Sequence, residues 1–188
     1  MNLHPIDSIG VLYVEVPKAA CSSLKAALAP YRRPGPTPQG EALHRWFGYT
    51  YAFAERELDA WIARHWSGYF RFTVVRHPIE RFESFFYSKV GGEDIDEFAR
   101  DFAESGWARD AHAERQADLI GRDLSKYHYV GRVEDLTRTA DVLSQVVGSP
   151  VRVPHLNGSI RGPGLGADAR AIVAEHYRED FDLLGYTP

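Results

Sequence analysis

Apolar positions along this chain switch between two periods. Strand-like runs occur at residues 11–16, 70–75 and 127–132, with a shorter one at 151–153, each compact enough for a strand buried on both faces. Helical spacing fills the intervals. Residues 54–66 predict a helix packed through Leu58, Trp61 and Ile62, and Asp94 starts another that buries Ile95, Phe98 and Phe102. Residues 141–147 and 167–181 also read as helices. Residues 33–40, Arg-Pro-Gly-Pro-Thr-Pro-Gln-Gly, cannot continue a helix and must form a loop, a connector or a rim over a cleft. Alternation of strand and helix predicts an α/β fold: a three-layer arrangement with a parallel sheet flanked by helices on both faces.

Two of these strand–helix junctions carry chemistry. In the first, the run from Val11 to Val16 passes through Pro17-Lys18-Ala19-Ala20-Cys21 into a helix opening on Ser22 and Ser23. Backbone N–H groups at a helix start point outward with the positive end of the dipole, and Lys18 adds a full charge beside them, an arrangement suited to phosphate. Either serine can cap the helix or donate to an anion. An ordinary capped strand–turn–helix is the plainer alternative. In the second junction, Arg71 to Val75 leads through Arg76-His77-Pro78 into a helix whose Ile79, Phe82 and Phe86 form one stripe. Arg81, Ser84 and Ser88 fall roughly opposite. Arg76 leaves the strand end, where open parallel sheets place ligands. A surface ion pair for Arg76 and a solvated helix serine for Ser84 are the competing explanations.

Together the two junctions resemble the sulfotransferase superfamily that uses 3′-phosphoadenosine 5′-phosphosulfate (PAPS). Pro17-Lys18 followed by Cys21, Ser22 and Ser23 is similar to its 5′-phosphosulfate loop, and Arg76, Pro78, Arg81 and Ser84 match its 3′-phosphate element. The cysteine is most similar to loops of the carbohydrate sulfotransferases, Golgi-type enzymes and their bacterial relatives. Residues 129–136 and 153–159, the latter Val-Pro-His-Leu-Asn-Gly-Ser, resemble later segments of that branch, as does the closing stretch 177–186. The resemblance implies one sulfotransferase domain over residues 1–188 with a P-loop-like fold.

It also implies roles. Lys18 would stabilise charge developing on the departing phosphate oxygen, the place where electrostatic catalysis acts. Pro17, Lys18, Ala19, Ala20, Cys21, Ser22 and Ser23 would cradle the 5′-phosphate; Arg76 and Ser84, with Arg161 from the late loop, would hold the 3′-phosphate. The acceptor hydroxyl needs a general base, for which His44, Glu41 and His65 are candidates, with His44 favoured. His112 and Gln116, four apart on an expected helix, resemble an acceptor-side element, and Glu41 and His44 are assigned to the same side. Trp46, Phe47, Tyr49 and Tyr51 offer stacking faces for sugar rings or belong to the core. His155 and Asn157 touch the cofactor or fold back on the sheet. PAPS is the expected co-substrate and a carbohydrate hydroxyl the expected acceptor; a small alcohol, a lipid headgroup or a peptide tyrosine stays open.

Composition narrows this further. At 188 residues, 44% hydrophobic and 26% charged, the chain fits one globular domain. A net charge of −4 argues against nucleic acid as a partner, so any anion site must be local. One cysteine excludes an internal disulfide, and eight scattered histidines give no metal-binding spacing, so no metal is expected. Neither a signal peptide nor a membrane span is visible, which points to a soluble cytoplasmic protein. Nothing in the sequence bears on oligomeric state. A P-loop kinase would need Gly-x-x-x-x-Gly-Lys-[Ser/Thr], which does not occur, and an aspartate for magnesium where Arg76 stands. A non-catalytic nucleotide-binding module is the remaining rival, although the lysine and the candidate bases are all present.

Overall fold

The computed structural model describes residues 2–33, 35–48, 51–52, 55–105, 111–156 and 162–188, and of residues 51–59 the backbone alone where it describes them. Strands β1 (Asn2–Ile6), β2 (Val11–Glu15), β3 (Tyr51–Ala52), β4 (Phe70–Val75) and β5 (Tyr129–Arg132) form one sheet in the order β3-β1-β2-β4-β5. The expected parallel core is present, with β2 beside β4 and β4 beside β5. The sheet as a whole is mixed: β1 runs antiparallel to both β2 and β3. The short connection between β1 and β2 is the physical reason, since Asp7–Gly10 is too brief for a crossover and Gly10 takes the left-handed conformation that closes such a turn.

Successive residues of β2 point to opposite faces. Val11 and Tyr13 pack with α1 (Cys21–Arg32), α2 (Glu41–Phe47) and α7 (Leu136–Val147) through Leu24, Leu28, Phe47 and Leu143. Leu12 and Val14 face α3 (Glu55–His65), α6 (Gln116–Ile120) and α9 (Arg178–Leu184). This is the three-layer arrangement. Stacking of Tyr13 on Phe72, 5.1 Å between centroids, ties β2 to β4 on one face. A third cluster lies where α4 (Pro78–Phe85), α5 (Ile95–Ser105) and α8 (Ala167–His176) meet around Phe82, Phe85, Phe98 and Phe102.

Some expected elements differ. Residues 151–153 join no ladder and continue irregularly, although Val151 is buried. The helix expected over 167–181 breaks at Tyr177 into α8 and α9; Tyr177 is buried there and donates its hydroxyl to the Ala113 carbonyl at 2.7 Å. Residues 111–114 form a turn, so His112 does not share a helix face with Gln116, which begins α6. Asp94 starts α5 as expected, its carboxylate accepting from the Asp96 and Glu97 N–H groups.

Candidate active site

Because β2 and β4 are parallel neighbours, their following loops leave from the same edge of the sheet. After β2 the chain makes a tight turn in which Lys18 and Ala20 both adopt left-handed backbone conformations, φ 67° and 58°. Neither is glycine, so each costs on the order of 1–3 kcal/mol, a strain typical of ligand clamps. The turn is closed by the Ala19 N–H donating to the Val16 carbonyl. Ala20 occupies the N-cap of α1, and no side chain caps that helix. The loop thus delivers Lys18 and the first-turn amides of α1 to one place.

Two arginines hold this loop against the second junction. Arg81, fully buried on α4, donates to the Pro17 carbonyl at 2.9 Å and to the Glu114 and Ala111 carbonyls at 2.6 and 3.1 Å. Arg76 lays its guanidinium 3.4 Å from the Lys18 carbonyl and the same distance from the Glu80 carboxylate. The Arg76 backbone is itself gripped: its N–H donates to the Gln116 side-chain oxygen at 3.0 Å, and its carbonyl accepts from the Gln116 amide at 2.8 Å. Gln116 is in turn fixed by Asp180, whose carboxylate caps α6 by accepting from the Gln116 and Ala117 N–H groups. Burial pushes the Asp180 carboxyl upward, against the lowering effect of those bonds and of Arg81.

Helix α4 passes into one turn of π-helix at Phe86–Val90. Ser88 lies on this wider turn, and its hydroxyl accepts from the Lys18 ammonium. Burial lowers the Lys18 pKa most, with the cations of Lys89, Arg76 and Arg81 adding to the same direction. Beside the lysine, Ser22 Oγ lies 2.9 Å from His44 Nε2, and His44 Nδ1 lies 3.1 Å from the Lys25 ammonium. Lys25 is fully buried and pairs with Glu15 at 2.9 Å, and Glu15 also accepts from His4 at 2.7 Å. Although burial opposes it, these bonds and the Lys25 charge lower the Glu15 pKa to about 2. His44 is depressed, first by burial and then by Lys25, with His112 and Lys89 adding to it.

Residues 6–162 match a family model described as the sulfotransferase family, a span holding both junctions. The chain belongs to the sulfotransferase family. No curated protein and no solved structure matches it. It is therefore an enzyme of sulfuryl transfer, and its α/β sheet flanked by helices is the fold expected of one.

For this sulfotransferase, two sets of contacts meet the same loop–helix junction: Arg76 and Ser88 on Lys18, and His44 with Lys25 behind Ser22. Other expected site residues are engaged elsewhere. Gln116 is fully buried on the Arg76 backbone, so it does not face an acceptor. Ser23 is buried and accepts from the Leu156 N–H at 3.1 Å, which docks the late loop and leaves Ser22 as the more exposed hydroxyl. Phe47 is core, packed edge-on against His4. Glu41 is exposed one turn before His44, near Arg45. His65 ends α3 stacked on Trp61, and His155 is exposed. Ser84 is buried on α4. Arg161, Asn157, Ser159, Tyr49 and the Tyr51 side chain lie outside the described residues. Gly162, beside Arg161, sits so close to the Tyr87 ring that a Cβ there would approach it to 2.3 Å, and Tyr87 donates to the Pro163 carbonyl.

Lys25, Glu15 and Asp180 were not singled out from sequence, and Ser88 was placed on its helix face with no role. Glu15 had left one signal: a carboxylate closing an otherwise apolar strand needs a buried partner. Glu15, Cys21 and His44 place ligand atoms within 4.8 Å of one another, a spacing suited to a metal ion. The Lys25 ammonium contacts two of those three, Glu15 and His44.

Proposed function

We propose that this sulfotransferase moves a sulfuryl group from PAPS to an acceptor hydroxyl, with a carbohydrate as the acceptor class. The observation carrying this reading is the approach of the Arg76 guanidinium to the carbonyl of Lys18, which puts two separate cations along one edge of the sheet. Lys18, with the first-turn amides of α1 and the Ser22 hydroxyl, suits a 5′-phosphate. Arg76 and Ser84 suit a 3′-phosphate, and Arg161 follows in the late loop. Among the described residues no helix is long and apolar enough to cross a membrane.

PAPS supplies the sulfuryl group and a phosphate leaving group. As the acceptor oxygen forms its bond to sulfur and the bond to the 5′-phosphate breaks, negative charge collects on the departing oxygen. Lys18 would leave Ser88 and turn its ammonium to that oxygen, where the developing charge strengthens the interaction. Burial and the neighbouring cations lower the Lys18 pKa, and an incoming anion would act the other way and favour the ammonium. The acceptor proton passes to a base; the sequence candidates Glu41 and His44 share α2, and the charge of His112 acts on His44.

Calorimetric titration with PAP and with ATP, followed by transfer from labelled PAPS to a panel of hydroxyl acceptors, tests the reading. PAP should bind at least about tenfold more tightly than ATP, a difference near 1.4 kcal/mol, and label should move to a sugar. Preference for ATP, or label appearing only on alcohols and phenols, would overturn the donor or the acceptor assignment respectively.

A further inference from the structure

The hydrogen-bond chain behind Ser22 determines what its histidine can do. Lys25 has donors only, so at 3.1 Å it must donate to His44 Nδ1, which therefore holds a lone pair. A neutral imidazole with an acceptor at Nδ1 carries its proton on Nε2. That Nε2–H faces Ser22 Oγ at 2.9 Å and donates to it. Each ring nitrogen is thereby assigned: one accepts from a buried cation, the other is already protonated.

We propose that His44 is a positioning residue and not the general base: held by Lys25, which Glu15 pairs, it donates to Ser22 Oγ and directs the Ser22 hydroxyl hydrogen toward the 5′-phosphate of the donor. This rests on the donor reading above. Serine accepting from the ring keeps its own O–H as a donor, the form an anion requires. Around the ring stand Lys25 and Glu15 from α1 and β2, Lys89 from the π-turn, His112 from its turn, and Glu41 and Arg45 on its own helix. Burial, Lys25, His112 and Lys89 oppose a proton on the imidazole, and Glu15 favours one. A base would have to gain one at Nδ1, against the Lys25 ammonium. The acceptor proton then goes to another group, and His112 is the other histidine whose charge acts on His44.

A glutamine separates the two roles, because its oxygen can accept from Lys25 and its amide donate to Ser22, yet it cannot take a proton. Affinity for PAP measured without acceptor, and the pH profile of kcat/KM, are compared for wild type, His44→Ala, His44→Gln and Ser22→Ala. The expected result is PAP binding weakened about 10- to 150-fold in His44→Ala and Ser22→Ala, the range for one hydrogen bond to a charged group. His44→Gln should restore binding to within about threefold and keep both turnover and the acidic limb of the wild-type profile. The His44→Gln arm also guards against a His44→Ala protein that fails to fold. Unchanged PAP affinity in His44→Ala, or a His44→Gln enzyme that binds PAP normally but has lost turnover and the acidic limb, would overturn the proposal. If wild type itself does not bind PAP, the donor reading fails first, and the His44 comparison does not arise.

Discussion

Replacing Arg81 by methionine removes the clasp between the Lys18 loop and the turn at residues 111–114 while keeping most of the side-chain volume. Three carbonyls, those of Pro17, Ala111 and Glu114, lose their donor inside the protein. An unsatisfied buried acceptor costs about 1–3 kcal/mol. Relief of the buried guanidinium's desolvation offsets part of this; that desolvation is what pulls the Arg81 pKa downward. A net loss of about 3–5 kcal/mol is expected from these opposing effects. For a chain of this size that lowers Tm by roughly 10 °C or more. Urea unfolding at constant m-value measures it, and PAP titration at a temperature where the variant is folded measures the loop. PAP affinity should fall as well, because Arg81 fixes the carbonyl immediately before Lys18. A loss below about 1 kcal/mol with unchanged PAP affinity would refute the claim that Arg81 organises the loop.

Lys18→Ala should lower kcat by about 100- to 1000-fold, the range for removing one preorganised stabiliser of a developing oxyanion, with a much smaller change in PAP affinity; steady-state kinetics against PAP titration separates the two. Gln116→Leu should weaken PAP binding through the released Arg76 backbone and destabilise by about 2–3 kcal/mol, read by calorimetry and thermal melts. For Glu15, the folded pKa of about 2 lies below its ordinary 4.5, so its stabilisation is present above pH 4.5 and lost as pH falls toward 2. That shift corresponds to about 3 kcal/mol. His4 acts in the same direction from higher pH, since burial lowers its pKa below 6.5 and acidification favours the unfolded chain. Acid unfolding should therefore begin below pH 6.5 and steepen below 4.5, and Glu15→Gln should flatten the segment between 4.5 and 2.

Much of this was legible from the chain because it depends on local grammar. Strands β2 and β4 are apolar and the turns after them carry Lys18 and Arg76, so both anion-binding candidates could be found and placed at one sheet edge. Strand β1 was not legible: His4 and Pro5 interrupt its alternation, and it is a strand because His4 pairs with Glu15 and Leu3 and Ile6 are buried. Arg81 matched a motif on a face read as opposite to the core, yet it is buried, because backbone carbonyls from two loops compensate its charge. Gln116 looked like a substrate ligand by spacing alone, and only the tertiary packing of α6 under Asp180 shows what its amide holds. Ser88 meets Lys18 from a π-turn, and the heptad-like spacing of Ile79, Phe82 and Phe86 gives no hint of that extra residue.

If one nucleotide spans the sheet edge from Lys18 to Arg76, as proposed, its 3′-phosphate should bind through Arg76. Affinities for PAP and for AMP, which lacks the 3′-phosphate, measured on wild type, Arg76→Ala and Lys18→Ala, test it most directly. Wild type should prefer PAP by at least about tenfold, Arg76→Ala should erase the preference, and Lys18→Ala should keep it. Equal binding of PAP and AMP by wild type would contradict it.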